Sequence, residues 1–159
     1  SQDLFAKLCL DGQQAGLSWI TILRKEKSYY QAYDNFEPEK IIQYDQTKID
    51  ALMQNSGIVR NKLKINSVIK NAKGYLEIEA SEGSFSNFIW SFVEGQVIQN
   101  NWQNIDEVPV STPESEAMSK ALKKRGFSFV GPTICYAYMQ AVGMVNDHLT
   151  NCPQWHECR

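Results

Sequence analysis

The sequence is organised around the stretch Asp11-Gly-Gln-Gln-Ala-Gly-Leu-Ser-Trp19. Its two glycines lie four positions apart, and glycine lets the main chain turn and approach a ligand without a Cβ in the way. An acid and an indole stand at its ends. This pair suits a flat ring with positive charge, because the carboxylate attracts the charge and the aromatic offers its negative π-face. The stretch therefore predicts one wall of a ligand site.

A structural interpretation of the same residues stays open. Gly12 and Gly16 also suit a close contact between helices, with Trp19 in the core and Asp11 as a solvated helix cap. Features elsewhere in the chain are needed to decide between the two interpretations.

The composition is that of a globular protein. The 159 residues are 43% hydrophobic and 21% charged, which fits one domain or two small lobes around a core. The chain has no run of about 18 apolar residues and no pattern typical of a signal peptide, so we expect a cytoplasmic protein with no membrane partner. Cys9 and Cys135 lie in apolar helical patterns, which favours thiols over disulfides.

The basic residues are concentrated in two parts of the chain. The formal net charge is -2, yet every Lys and Arg except Arg159 lies within residues 7–73 or 120–125. A molecule with one basic side can bind a polyanion despite an acidic total, because salt screens the distant charges. Scattered charge that serves only solubility is the alternative.

Apolar residues recur at helical spacing along most of the chain, and no convincing alternation typical of strands is present. We therefore predict an all-α fold with a short helix before Asp11, a second helix over about 17–33 with Ile20 and Leu23 inward, and a long helix around Ile65 to Leu76. Thr47 and Ser84 are predicted helix caps. The segment from Gly95 to Pro113 is predicted to be irregular.

A tight apolar link, Gly126-Phe-Ser-Phe-Val-Gly-Pro-Thr133, joins two further predicted helices. The first begins at Pro113 and ends in a basic last turn, and the second buries Ile134, Ala137, Tyr138 and Ala141. Such a link directs unpaired N–H groups of a helix start toward one point, which makes a phosphate site. A plain pair of antiparallel helices in a bundle is the alternative.

Two long strings, LCLDGQQAGLSWITIL from Leu8 and KALKKRGFSFVGPTICYAYMQAVGMVNDH from Lys120, resemble the DNA-3-methyladenine glycosylase I family of the helix-hairpin-helix superfamily. The resemblance runs from Leu4 to about Cys152. It implies a single helical glycosylase domain over residues 1–159, with the helix-hairpin-helix element at about 114–142 and the base pocket between lobes. It further implies a monofunctional glycosylase that hydrolyses the N-glycosidic bond of 3-methyladenine and leaves an abasic site.

The resemblance also assigns roles to residues of this chain. A glycosylase needs a grip on the backbone, a wedge for the vacated space and a pocket for the flipped base. Asp11 is expected to be the catalytic residue and to accept hydrogen bonds from the base, Trp19 to stack on the base, and Leu17 to act as the wedge. The expected DNA-binding residues are Gly16, Leu17, Lys124, Phe129, Gly131 and Thr133.

The chain departs from the family pattern at the pocket acid. The matching residue is usually a glutamate, and Asp11 is one methylene shorter, so a bridging water or a closer helix is expected. Many relatives in the wider superfamily carry a catalytic aspartate after the hairpin, whereas Asp147 comes too late in this sequence. The resembled enzymes manage without it, because N3-methylation makes adenine a cationic leaving group.

His148 and Cys152 have the spacing of zinc ligands on one helical turn. In the resembled family, a Cys and a His from the extreme N-terminus complete a structural zinc site. Neither is present here, and we expect that the sequence shown is trimmed at that end. Substitution by His156 and Cys158 is one alternative, and an unliganded His and Cys near the C-terminus is another.

The sequence therefore predicts a monomeric 3-methyladenine glycosylase that acts on double-stranded alkylated DNA and needs no cofactor for catalysis. One alternative is a helix-hairpin-helix DNA-binding module without catalysis. Another is a helical protein that binds a small molecule, which a failure to bind DNA at low salt would favour.

Overall fold

The computed structural model describes residues 2–99 and 109–146, apart from the side chains of Trp19 and Asn146. Within these residues the all-α prediction is confirmed, since helices dominate and the only strands form one short pair. The α-helices are α1 (Gln2–Gln13), α2 (Trp19–Ala32), α3 (Pro38–Ile41), α4 (Gln46–Met53), α5 (Lys62–Glu82), α6 (Phe85–Trp90), α7 (Pro113–Lys124) and α8 (Pro132–Ala141). Single 3-10 turns cover Asp34–Phe36 and Ser91–Val93, and the strands are β1 (Ile98–Gln99) and β2 (Val145–Asn146).

Helix α5 is the helix on which the other elements assemble. It has 21 residues and contacts α1, α3, α4 and α6. The apolar stripe of this predicted helix is confirmed. Ile65, Val68 and Ala72 are fully buried, and Ile69 and Leu76 are partly buried. At 1.5 Å per residue the helix is about 30 Å long, so residues at its two ends support different parts of the molecule.

A chain of aromatic rings joins α1, α5, α6 and the segment after α7. Tyr75 lies between Phe5 and Phe85, with ring centroids 5.0 Å apart on both sides, and Phe85 stacks on Phe127 at 6.1 Å. All of these rings are buried. Large aromatic groups bury much apolar surface in fixed geometries, so this row sets how α1 and the segment after α7 lie on α5.

The predicted bounds of α2 are close to those observed, and Tyr30 is partly buried against the core as predicted, but the predicted inward position is wrong for two other residues. Ile20 and Leu23 are each 48% exposed, whereas Ile22 and Tyr29 are buried. The inward face is therefore rotated from the one we predicted. The apolar residues on both faces of the first two turns explain the error, because their spacing fits either choice.

Most predicted helix starts are confirmed. The Ser84 side chain accepts a hydrogen bond from Asn87 N at 3.2 Å, and α7 begins at Pro113 as predicted. The predicted cap at Thr47 is wrong, because Asp45 caps α4 by accepting from Lys48 N at 3.0 Å. Aspartate is among the strongest N-cap residues, and it lies two positions before the threonine.

The segment predicted to be irregular contains β1, which pairs in parallel with β2 through Ile98 with Val145 and Gln99 with Asn146. Two-residue strands leave no alternation for sequence reasoning to detect. The rest of that segment, residues 100–108, lies outside the described residues.

Across residues 2–99 and 109–146, none of the helices is both long and apolar enough to cross a membrane.

Candidate active site

An open cleft separates the turn after α1 from the start of α8. Its volume is about 270 Å³, which lies near the lower end of the range typical of small-molecule sites. The residues that line it are Asp11, Gln14, Ala15, Gly16, Leu17, Thr133, Ile134 and Ala137. The Asp11 stretch therefore forms one wall of the cleft, and the start of α8, beginning with Thr133, forms the opposite wall.

Asp11 lies in the last turn of α1 and is 9% exposed. Its Oδ1 pairs with Lys7 Nζ at 2.9 Å, one helical turn earlier. Its Oδ2 is also buried, and within the described part of the chain it has no hydrogen-bond partner. Burial raises the pKa of Asp11, and the hydrogen bond and charge of Lys7 offset part of that rise. An unpaired buried carboxylate oxygen is costly, and a hydrogen-bond donor brought by a ligand would satisfy it.

The turn after α1 holds Leu17 at the edge of the cleft. The chain reverses at Gly16, whose φ is +78°, and Leu17 N donates to Gln14 O at 2.7 Å. Glycine adopts that conformation without strain. Leu17 is 39% exposed, which leaves its side chain accessible to a large ligand. Ser18 then caps α2 by accepting from Thr21 N at 3.3 Å.

The two glycines have different structural roles. An ideal Cβ on Gly12 would lie 3.0 Å from Phe129 O and 3.2 Å from Phe129 Cβ, so Gly12 permits close contact with the link before α8. A Cβ on Gly16 would meet nothing within 4 Å, so Gly16 serves the turn. The alternative of Asp11 as a solvated cap is wrong, because its carboxylate is buried in the last turn of α1.

Lys64 supports the turn from behind and was not found from the sequence. Its buried Nζ donates to Gln13 O at 2.9 Å and to Ala15 O at 2.5 Å, where α1 ends. Cations stabilise helix C-termini by pairing with their unsatisfied carbonyls. Gln13 Nε2 donates in return to Lys64 O at 3.0 Å, so a mutual pair of contacts joins α1 to α5. Burial lowers the pKa of Lys64.

Asn71 fixes the opposite wall in a similar way. Its Oδ1 accepts from Ser128 N at 2.8 Å, and its Nδ2 donates to Ser128 O at 3.3 Å. The link is strained near this point, since φ is +57° at Phe129. A non-glycine residue in the left-handed region persists only where its surroundings hold it. The Asn71 amide and the Gly12 contact supply that support.

The start of α8 lies at the cleft, and its first N–H groups have no partner within the helix. Gly131 is the N-cap and provides no side-chain cap, and Pro132 at the first position has no N–H. The N–H groups of Thr133 and Ile134 belong to the first turn, which lacks partners within the helix. They form a suitable site for an anion. Thr133 is exposed, as is Lys124 at the end of α7.

The predicted inward face of α8 is wrong in part. Tyr138 is buried as predicted, but Ile134 is only partly buried, and Ala137 and Ala141 are exposed. Ile134 and Ala137 line the cleft instead. Small apolar residues that face a ligand produce the same sequence pattern as residues that face a core, so spacing could not separate the two. The residues of α8 that are buried are Cys135, Tyr136, Tyr138 and Met139.

The buried thiols near the site are not poised as nucleophiles. Cys9 and Cys135 are both free and buried, as predicted for thiols. Burial raises the pKa of Cys9, and it raises the pKa of Cys135 to about 12, with the nearby charge of Asp11 adding to the rise. The thiolate is the reactive form, so these groups belong to the packing.

Several predicted site residues lie outside the described part of the chain. The backbone of Trp19 begins α2, but its side chain is not described. Asp147, His148 and Cys152 all lie beyond residue 146, so the predicted zinc ligands have no described geometry. Among residues 2–99 and 109–146, no group of three or more His, Cys, Asp or Glu side chains is placed to hold a metal ion.

Residues 1–156 match the sequence model of the methyladenine glycosylase family. The chain belongs to that family. It is 54% identical over 153 residues to DNA-3-methyladenine glycosylase of Haemophilus influenzae, which covers 96% of this chain and 83% of the relative. It is 47% identical over 152 residues to DNA-3-methyladenine glycosylase 1 of Escherichia coli, covering 96% and 81% of the two chains.

Solved methyladenine glycosylase structures share the fold. A 3-methyladenine DNA glycosylase I in complex with 3-methyladenine, carrying a Tyr-to-Phe substitution, superposes with a TM-score of 0.93 at 39% identity. The match covers 96% of this chain and 82% of the other. The expectation drawn from the two sequence strings is therefore confirmed at the level of family and fold.

Proposed function

We propose that this methyladenine glycosylase excises 3-methyladenine from alkylated double-stranded DNA, with Asp11 as the residue that reads the base. The observation that carries this role is the buried Oδ2 of Asp11, which has no partner among the described residues and belongs to a side chain that lines the cleft. A base edge that donates a hydrogen bond would satisfy it. The family and its named relatives support the activity.

The electrostatics suit a cationic base. N3-methylated adenine carries positive charge while it is bonded to the sugar, and an opposite charge nearby stabilises the ionised form of a carboxylate. Gly12 lets the helix of Asp11 lie close to the link, and we infer that this close contact compensates in part for the shorter reach of aspartate. We expect Trp19, at the start of α2, to stack on the same base.

The reaction is a hydrolysis that needs a good leaving group more than a strong catalyst. When the N-glycosidic bond breaks, its electron pair leaves with the base and neutralises the positive charge on the ring. A water oxygen bonds to the sugar carbon and its proton passes to solvent, so the products are free 3-methyladenine and an abasic site. The role of the protein is to hold the base and favour this redistribution of charge.

The opposite wall and the turn would hold the DNA. The N–H groups at the start of α8 suit a backbone phosphate, with Phe129, Gly131 and Thr133 shaping that site and Lys124 adding positive charge. Leu17, which is 39% exposed at the end of a tight turn, would fill the space left by the flipped base. Gly16 lets the backbone of that turn approach the duplex.

Release of 3-methyladenine from methylated duplex DNA tests the assignment. The parent chain should release the base, and Asp11→Asn should release it at least tenfold more slowly, because the amide cannot neutralise a cation. Asp3→Asn is the matched control, since Asp3 is exposed on the same helix. An Asp11→Asn variant that is as active as the parent would contradict the role of Asp11.

The proposed roles of Leu17 as the wedge and of Lys124 in holding the DNA backbone are tested by separate measurements. Leu17→Ala should weaken binding to duplexes with an abasic site more than binding to intact duplexes, since the wedge acts only where a base is displaced. Lys124→Ala should weaken both equally and reduce the salt dependence of binding. The reverse pattern would exchange the two roles. Sedimentation of the chain alone and with DNA tests our proposal that it acts as a monomer.

Zinc binding by His148 and Cys152 stays a prediction from their spacing. Metal analysis of the purified chain, beside a His148→Ala variant, tests it. Zinc in the parent at one equivalent and its loss in the variant are the expected results. No step of the reaction above depends on the metal.

A further inference from the structure

The two oxygens of the Asp11 carboxylate have different surroundings, because only one of them forms a salt bridge. Lys7 Nζ lies 2.9 Å from Oδ1, and the side chains of Lys7 and Asp11 are 38% and 10% exposed. The ammonium group is on a partly exposed side chain, whereas the carboxylate is buried. Lys7 therefore holds one oxygen and leaves Oδ2 as the free acceptor.

The pair also lies between two concavities. Asp11 lines the cleft against α8, and together with Lys7 it lines a smaller hollow against α2. Since the two residues are four apart on one helix, their side chains are neighbours on the same face of α1, where the ammonium can reach the carboxylate. A carboxylate fixed at one oxygen has few orientations left for the other.

We propose that Lys7 is a positioning residue for Asp11, which orients Oδ2 and keeps the carboxylate ionised in the pH range where the base is released. This inference rests on the proposed role of Asp11. It concerns Lys7 itself, which does not line the cleft.

The other charged or titratable groups around Asp11 would not replace Lys7. Glu26 of α2 lines the smaller hollow and is itself an acid. From α8, Cys135 and Tyr138 are close enough for the charge of Asp11 to raise their pKa values, so both are neutral neighbours. On α5, the Nζ of Lys64 already donates hydrogen bonds to two backbone carbonyls. Within the described residues Lys7 is the only cation that pairs with Asp11.

Removal of Lys7 would therefore leave a buried acid without its cation. Burial raises the pKa of Asp11, and Lys7 lowers it through a hydrogen bond and its charge. Without those two contributions the carboxyl group takes up a proton at a higher pH. A protonated carboxyl has one acceptor fewer and no charge, so the acidic limb of the activity profile should move to higher pH.

The test is single-turnover release of 3-methyladenine from methylated duplex DNA across about pH 5 to 9, corrected for spontaneous release. An opposite charge this close typically lowers the pKa of a carboxyl group by about one unit or more. Lys7→Met should move the acidic limb upward by about one unit, which is about a tenfold loss at a pH below the limb. Lys7→Arg should restore the parental limb. Lys27→Met, at an exposed lysine of α2, is the matched control.

The outcomes separate this inference from the function on which it rests. If Asp11→Asn loses activity while Lys7→Met keeps the parental limb, Lys7 has no positioning role and Asp11 keeps its own. If Asp11→Asn keeps both the activity and the pH profile of the parent, the proposed role of Asp11 is wrong, and so is the proposed role of Lys7. A carbon NMR titration of the Asp11 carboxyl group gives the same comparison without DNA, and equal midpoints in the parent and Lys7→Met would overturn the inference.

Discussion

Replacement of Gly74 by alanine should destabilise this protein, although the same change inside an ordinary helix is stabilising. Gly74 lies in the middle of α5 and faces the link before α8. An ideal Cβ there would lie 2.7 Å from Phe127 Cδ1, closer still to Phe127 Cε1, and 2.8 Å from Arg125 O. Phe127 is only 4% exposed, and the Arg125 carbonyl is part of the backbone. Neither can move without displacing the link.

The expected change in the free energy of unfolding is the sum of two opposing contributions. Alanine gains about 1 kcal/mol over glycine in a helix interior. Overpacking of a core costs about 1 to 3 kcal/mol, and a collision with both a buried ring and a backbone oxygen belongs at the upper end. The net loss should be about 2 kcal/mol in the free energy of unfolding. For a chain of this length that corresponds to a melting temperature lower by about 4 to 8 °C.

Urea denaturation followed by circular dichroism measures this loss directly. An unchanged slope of the unfolding free energy against urea concentration would show that the unfolding transition itself is the same. Lys73→Ala is the matched control, because Lys73 is the exposed neighbour on the same helix and its replacement should change stability by no more than about 0.5 kcal/mol. A Gly74→Ala variant as stable as the parent, or more stable, would refute the close packing of the link on α5. Weaker binding to abasic DNA at a temperature where the variant is folded should accompany the loss.

Three further results are expected. Asn71→Ala should cost about 1 to 3 kcal/mol in urea denaturation, because the Ser128 N–H loses its only acceptor among the described residues; a loss under about 0.5 kcal/mol would mean that the link is held elsewhere. Lys64→Met should reduce the preference for abasic over intact duplex in fluorescence anisotropy, because two carbonyls of the turn lose their donor. Burial raises the pKa of Asp11 above 3.8, so the folded state binds more protons between the two pKa values and stability falls as pH rises through that window. Asp11→Asn should therefore be more stable than the parent above the window and nearly equal to it below pH 3.8, and denaturation at several pH values checks both.

Local signals in the sequence were enough to place most helices. Ser84 and Pro113 begin their helices as predicted, and Gly126 ends α7 with a φ of +89°. These features act within one turn of the chain, where cap and turn chemistry is decided. The predicted wall at Asp11 and Thr133 at the end of the predicted link also line one cleft.

The inward faces were harder to predict, and for different reasons in the two helices. In α2, apolar residues on adjacent faces allowed Ile20 and Leu23 to be assigned to the core, yet both are about half exposed. In α8, Ile134 and Ala137 line the cleft. Hydrophobic spacing reports that a residue avoids water in some state of the protein, and a bound ligand removes water as a core does.

Lys64 and Asn71 could not be found by local reasoning, because each acts on a partner about 50 residues away in sequence. They lie seven positions apart on α5, which is nearly two full turns, so they project from the same face about 10 Å apart. Lys64 holds the turn that carries Leu17, and Asn71 holds the link that leads into α8. Because the turn and the link are both attached to one continuous helix, the helical rise sets how far apart these two points of attachment lie. That arrangement supports both sides of the cleft beside the buried, incompletely paired carboxylate of Asp11. On our proposal, the energy lost by leaving Oδ2 unsatisfied would become available when a base donates to it.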